Sequence, residues 1–255
     1  MLPYTEAGEG DAVLLIHAGI ADRSMWNEHL EWLARAGFRA VAVDLPGFGE
    51  APAHAGPHAD WEDVVGTMRD LEINRATVVG NSFGAAVALR VAAVAPAAVA
   101  AMALISPPAP GLEPSPELQA VWEAEEAALE AGDIDAAVKV IVDAWTLPGA
   151  PDELRQRIAT MQRRAFELQL ACPDAQEAPD PLEQHPEVLE RLAVRTLTAA
   201  GEYDMPDFIQ GAQQLARTLP DARYVTIAGA GHLAPLETPE AFERLLREFL
   251  RGADG

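Results

Sequence analysis

The chain has 255 residues, 49% of them hydrophobic, enough for one α/β domain with a substantial buried core. Its formal net charge of −22 argues against nucleic acid and anionic membrane surfaces as partners, since both would repel it. A single cysteine, Cys172, rules out an intrachain disulfide, and no run of about 18 apolar residues exists to span a bilayer.

Taken from its start, MLPYTEAGEGDAVLLIHAG lacks the basic and long apolar segments of a signal peptide, so a soluble cytoplasmic protein is expected. AVLLIHA (12–18) reads as the first buried strand, followed by RAVAVDL (39–45), ATVVGNS (76–82), AMALIS (101–106), RTLTAAG (195–201) and ARYVTIAG (222–229). These are nearly continuous apolar runs, as expected for parallel strands covered on both faces. Helical spacing over 24–36, 58–72, 83–95, 206–217 and 239–251 alternates with them. That alternation predicts right-handed crossovers and a doubly wound, mostly parallel α/β sheet.

Between about 109 and 190 the alternation stops. Helical patterns succeed one another there with no strand between them: PELQAVWEAEEAALEAG, IDAAVKVIVDAW, PDELRQRIATMQRRAFELQLA and HPEVLERLA. Proline-rich SPPAPGLEPSP and CPDAQEAPDPLEQHP punctuate the stretch. It holds 18 acidic and 5 basic residues, and therefore 13 of the 22 net negative charges. The segment 109–190 is expected to form a helical insertion over the carboxyl edge of the sheet, with 1–108 and 191–255 forming the core.

One of only four serines stands between two glycines in TVVGNSFGAA (77–86). Ser82 falls where a strand must turn abruptly into a helix, and Gly80 and Gly84 remove side chains that would clash at such an elbow. The hydroxyl is then held exposed, with the N–H of Phe83 directed at a developing oxyanion. A serine hydroxyl needs an adjacent base. His232, in GAGHLAPLETPE after the last strand, sits on a loop able to carry an imidazole over the sheet edge. The acid that orients it comes from GEYDMPD. Asp204, nearer the strand end, is preferred over Asp207, which falls where an acid commonly caps a helix. Chain order Ser82, Asp204, His232 fits this sheet type. The second oxyanion donor should come from IHAGIADRSMW, with Gly19 as the candidate; each such donor is worth about 3–4 kcal/mol on removal. His17 reads as a structural histidine inside that loop. His54 and His58 are too isolated to argue for a metal site.

With these residues assembled, the chain resembles the α/β-hydrolase superfamily over essentially its whole length. The family's H-G-x oxyanion segment stands as His17-Ala18-Gly19, with alanine for the usual glycine. Its D-x-x-G-x-G turn is intact as Asp44, Gly47 and Gly49 in DLPGFGE. The resemblance implies a Ser82–His232–Asp204 triad, an oxyanion hole of Gly19 and Phe83, a lid made from 109–190, and no metal or organic cofactor.

The partner expected is a small-molecule substrate, a largely apolar ester or lactone. Ile20, Met25, Trp26, Phe48, Phe83, Trp122, Trp145, Met161, Phe166 and Leu233 are the candidate pocket residues, though aromatics at helical spacing more often pack helices together. The negative insertion should disfavour polyanionic substrates, with Arg163 and Arg164 as local counterweights. Asn81 in G-N-S-x-G is similar to the elbow of hydrolases that cleave carbon–carbon bonds in ring-cleavage products. Leu233 stands where those enzymes commonly have tryptophan, and their Gly-rich oxyanion loop is absent from HAGIADRS. The same triad would also serve a cofactor-free haloperoxidase or perhydrolase, and a ligand receptor on a hydrolase scaffold can retain it. Serine at the elbow disfavours dehalogenases and epoxide hydrolases, which resemble this fold but place aspartate there.

Overall fold

The computed structural model describes residues 1–252. Its first part lays down β1 (Tyr4–Ala7), β2 (Asp11–Ile16), α1 (Asn27–Arg35), β3 (Phe38–Val43), the short β4 (Gly56–His58), α2 (Asp60–Asp70) and β5 (Ala76–Asn81). Helix α3 (Phe83–Val94) begins just past Ser82, and β6 (Val99–Ile105) follows. Then come α4 (Pro116–Glu130), α5 (Ile134–Trp145), α6 (Asp152–Leu170), the short β7 (Ala175–Glu177) and α7 (Pro181–Gln184). The chain returns through β8 (Arg195–Gly201), α8 (Pro206–Thr218), β9 (Ala222–Ile227), α9 (Ala234–Glu237) and α10 (Pro239–Arg251).

Seven strands form one sheet in the order β1-β3-β2-β5-β6-β8-β9, parallel except for β1. The chain moves outward from β2 to β3 and then crosses back to β5 on the other side of β2. The loops leaving the carboxyl ends of β2 and β5 therefore diverge, which opens a crevice at this reversal.

The apolar runs have a direct structural reason. Val13 and Leu15 of β2 join one core cluster with Leu30 and Leu33 of α1 and Phe242 and Leu246 of α10. Leu14 and Ile16 face the other way, into a second cluster with Val64 and Met68 of α2 and Leu89 of α3. β2 is thus sealed on both faces, and each such aliphatic side chain contributes about 1.5–3 kcal/mol.

Three features depart from the sequence reading. β1 is an antiparallel edge strand with mostly exposed residues, so it carries no apolar run to announce it. The stretch 109–190 does contain a strand: β7 pairs in parallel with β4 as a separate two-stranded sheet. HPEVLERLA is not an α-helix; Pro181 and Pro186 each restart the chain, giving the one-turn α7 and a 3-10 helix over Pro186–Arg191. Helices α4 and α6 are tied to the core by polar contacts. Asp207 of α8 accepts the N–H and hydroxyl of Ser115 at 2.7 and 2.8 Å, and Arg157 donates to the Ser24 carbonyl at 2.5 Å.

Candidate active site

Ser82 is the hinge between β5 and α3. Its backbone lies at φ 55°, ψ −117°, a strained setting for a non-glycine residue, and its side chain makes no capping bond to α3. The turn is tight because nothing intervenes: a Cβ on Gly80 would run into the Gly84 carbonyl, and one on Gly84 would run into those of Ile16 and His17. The Ser82 N–H donates to the Ile105 carbonyl at 2.8 Å, fixing the elbow against β6.

Three distant segments converge at this point. The Ser82 hydroxyl lies 2.8 Å from His232 Nε2, and His232 Nδ1 lies 2.9 Å from Asp204 Oδ1. A carboxylate acceptor at Nδ1 places the ring proton there, which leaves Nε2 free to accept the serine hydroxyl. Asp204 Oδ1 also accepts the Met205 N–H at 2.8 Å, while its buried Oδ2 has no hydrogen-bond partner among the described residues. The imidazole is packed between Trp145 and Phe208, each ring centroid 4.4 Å away. Asp207 is engaged elsewhere, with both carboxylate oxygens on Ser115.

Two residues to which sequence reasoning gave no part in placing His232 hold the histidine loop. Asn81 is buried, and its Nδ2 donates to the carbonyls of His232 and Ile105 at 3.1 and 3.3 Å. Glu237 accepts the N–H groups of Gly231 at 2.8 Å and Leu233 at 3.2 Å, on either side of His232. Its other oxygen accepts the Leu147 N–H at 2.9 Å, just past α5 and Trp145. Burial pushes the Glu237 carboxyl up, and the three backbone donors pull against that shift. Glu237→Ala strands those donors, each costing about 1–3 kcal/mol when left unpaired and buried. The loosened loop should lower kcat by tenfold or more on the scale of about 10²-fold per ångström of misplacement. Denaturant melts and kcat on an aryl ester check both effects.

His17 is bound up in the fold: Leu45 N–H donates to its Nε2 at 2.9 Å and its Nδ1 donates to the Ala18 carbonyl at 2.8 Å. Burial holds its pKa below the ordinary histidine value. Asp44 is buried and accepts the N–H groups of Arg23 and Glu50, each at 2.8 Å, together with the Arg23 guanidinium. Those bonds close the D-x-x-G-x-G turn against the loop after β2.

Ser82 and His232 open on a cavity of about 370 Å³. Gly19 and Phe83 line it beside them, their backbones so close that a Cβ on Gly19 would sit 3.3 Å from that of Phe83. Of the candidate pocket residues, Ile20, Trp122 and Trp145 also line it, joined by Phe208, Leu118 and Ile141. Helices α4, α5 and α6 thus share one cavity with the carboxyl ends of β2 and β5.

Met25, Trp26, Phe48, Met161, Phe166 and Leu233 do not belong to the cavity wall. The 3-10 turn Arg23–Trp26 buries its last two side chains: the Met25 sulfur accepts the Ala18 N–H at 3.4 Å, and Trp26 packs on Phe242 at 5.9 Å between ring centroids. Leu233 is wholly buried in the same core cluster. Arg163 and Arg164 are paired with Asp135 and Glu167, away from the cavity. No Lys or Arg lines it among the described residues, whereas Glu113, Glu125 and Asp207 do. A roomier hollow of about 900 Å³ beside Leu147–Pro151 and Tyr203 holds neither Ser82 nor His232.

Among the described residues, no helix is long and apolar enough to cross a membrane. The sequence model of the alpha/beta hydrolase family matches residues 13–245. A 2-hydroxy-6-oxo-6-phenylhexa-2,4-dienoate hydrolase of Comamonas testosteroni is 28% identical over 262 residues, covering 98% of this chain and 91% of its own. Among solved structures, a thermophilic esterase from Thermogutta terrifontis superposes with a TM-score of 0.83 at 27% identity, over 99% of this chain and 93% of the other. An enol-lactonase from Burkholderia xenovorans LB400 shares the fold, with a TM-score of 0.81 at 24% identity over 98% and 96% of the two chains. The chain belongs to the alpha/beta hydrolase family and is an enzyme of that superfamily.

Proposed function

We propose that the protein is a serine hydrolase of small, largely apolar carboxylic esters or lactones. Ser82 Oγ attacks the acyl carbon as its proton passes to His232 Nε2. The tetrahedral oxyanion rests on the Gly19 and Phe83 N–H groups, and the leaving alkoxide departs with the proton from His232. Water, deprotonated by the same imidazole, then releases the carboxylic acid and restores the serine. Asp204 keeps the ring in the required tautomer and balances its transient positive charge. Helices α4, α5 and α6 act as the lid that excludes bulk water and shapes the pocket.

The observation that carries this reading is the continuous Ser82–His232–Asp204 hydrogen-bond chain opening on a mainly apolar cavity. Relatives named as dienoate hydrolases support a second reading, carbon–carbon bond cleavage. A dienoate carries a carboxylate, and a wall with Glu113, Glu125 and Asp207 but no cation opposes it. A neutral ester meets no such penalty.

A fluorophosphonate probe should label the wild type and not Ser82→Ala, and p-nitrophenyl esters should turn over repeatedly. Absent labelling would overturn the nucleophile. One turnover followed by tight product retention would mark a receptor, and faster cleavage of a 2-hydroxy-6-oxodienoate than of any ester would establish the carbon–carbon reading.

A further inference from the structure

The cavity is apolar around Ser82, yet its roof carries two acceptors to which nothing donates among the described residues. Helix α4 presents Leu118, Trp122 and Glu125 to the cavity, positions one and two turns apart on a single face. The first two suit an apolar roof. Glu125 does not: its carboxyl is pushed up by burial, with no neighbouring charge offsetting the shift. Gln162 of α6 lines the same space at 3% exposure, and its buried Oε1 has no hydrogen-bond partner among the described residues. The remaining polar groups differ. Asp207 is satisfied by Ser115, and Glu113 and Gln210 lie exposed at the mouth.

A half-buried carboxyl gains from a donor, and a buried amide oxygen left unpaired costs more than the bond it could make contributes. The part of the substrate that reaches the roof can supply that donor. On the serine-hydrolase reading above, we propose that Glu125 and Gln162 are specificity residues selecting esters that carry a hydrogen-bond donor, an ammonium or hydroxyl, remote from the scissile bond. The apolar walls of Ile20, Ile141 and Trp145 take the intervening hydrocarbon, and the donor meets the roof. An ammonium suits Glu125 best, because a cation makes a charge-assisted bond and nothing else on the wall is positive. A neutral hydroxyl suits both residues. A carboxylate is excluded by repulsion from Glu125.

Recognition of this kind discriminates strongly, because the analogue without the donor leaves the roof unpaired. The test is competitive inhibition of p-nitrophenyl acetate turnover by matched series of 1-alkylamines, 1-alkanols and alkanoates, from butyl to octyl. These probes bind irrespective of whether the roof faces the acyl or the alcohol side of an ester. The best alkylammonium should inhibit at least about tenfold more tightly than the alkanoate of equal length. Glu125→Leu should erase that gap, and Gln162→Leu should weaken alkanol and alkylamine alike while sparing the alkanoate. Fluorophosphonate labelling of both variants checks that the fold and nucleophile persist. Equal or tighter binding of alkanoates, or an unchanged order in both variants, overturns the proposal. Failure of the wild type to turn over the acetate at all would instead strike the hydrolase reading, so the two failures are distinguishable.

Discussion

Ser82→Ala should abolish ester turnover, lowering kcat by about 10⁵–10⁶-fold while KM stays within a few-fold. The size follows from the relay. Without the hydroxyl at 2.8 Å from His232 Nε2 there is no covalent route, and what survives is water attack aided by the oxyanion donors. Stability should hardly move, because the Ser82 side chain makes no capping bond to α3. Alanine adds no β-branch to the strained φ of 55° at this position. The measurement is kcat beside a denaturant melt. A variant that keeps a tenth of the rate would place the nucleophile elsewhere.

Asp204→Asn is expected to cost about 10⁴-fold in kcat. The cause is tautomeric rather than steric. An amide NH₂ facing Nδ1 stabilises the ring with its proton on Nε2, and that nitrogen then cannot accept from Ser82. Asp207→Asn is the control, since its carboxylate binds Ser115 at 2.7 and 2.8 Å and not the imidazole. It should lose about 1 kcal/mol of stability through one weakened bond at the start of α4, with kcat within a few-fold of wild type. The reverse pattern would exchange the two aspartates' roles.

The elbow was legible because its chemistry is local. A Gly-x-Ser-x-Gly run after an apolar strand and before a helical pattern carries its own context, and GEYDMPD and GAGHLAP each follow a strand directly. Residue type says less about which way a side chain faces. Met25, Trp26 and Leu233 are apolar residues near the site in sequence, and all three face the core. Their direction is set by a 3-10 turn and by α10 packing from the far end of the chain. β1 and the β4–β7 pair escaped for a different reason: strands of three or four residues with few apolar side chains leave no hydrophobic signature. Glu125 and Gln162 carry no sequence signal that sets them apart from the other polar residues of α4 and α6. Only the folded arrangement brings them to the wall of the cavity that Ser82 shares.

Because one carboxylate, Glu237, grips both the backbone around His232 and the chain just beyond α5, roof and base cannot shift independently. A bulky guest that levers α5 upward would drag the imidazole out of line. Such a guest is admitted yet processed slowly, so oversized esters should be rejected at the bond-breaking step more than at the door.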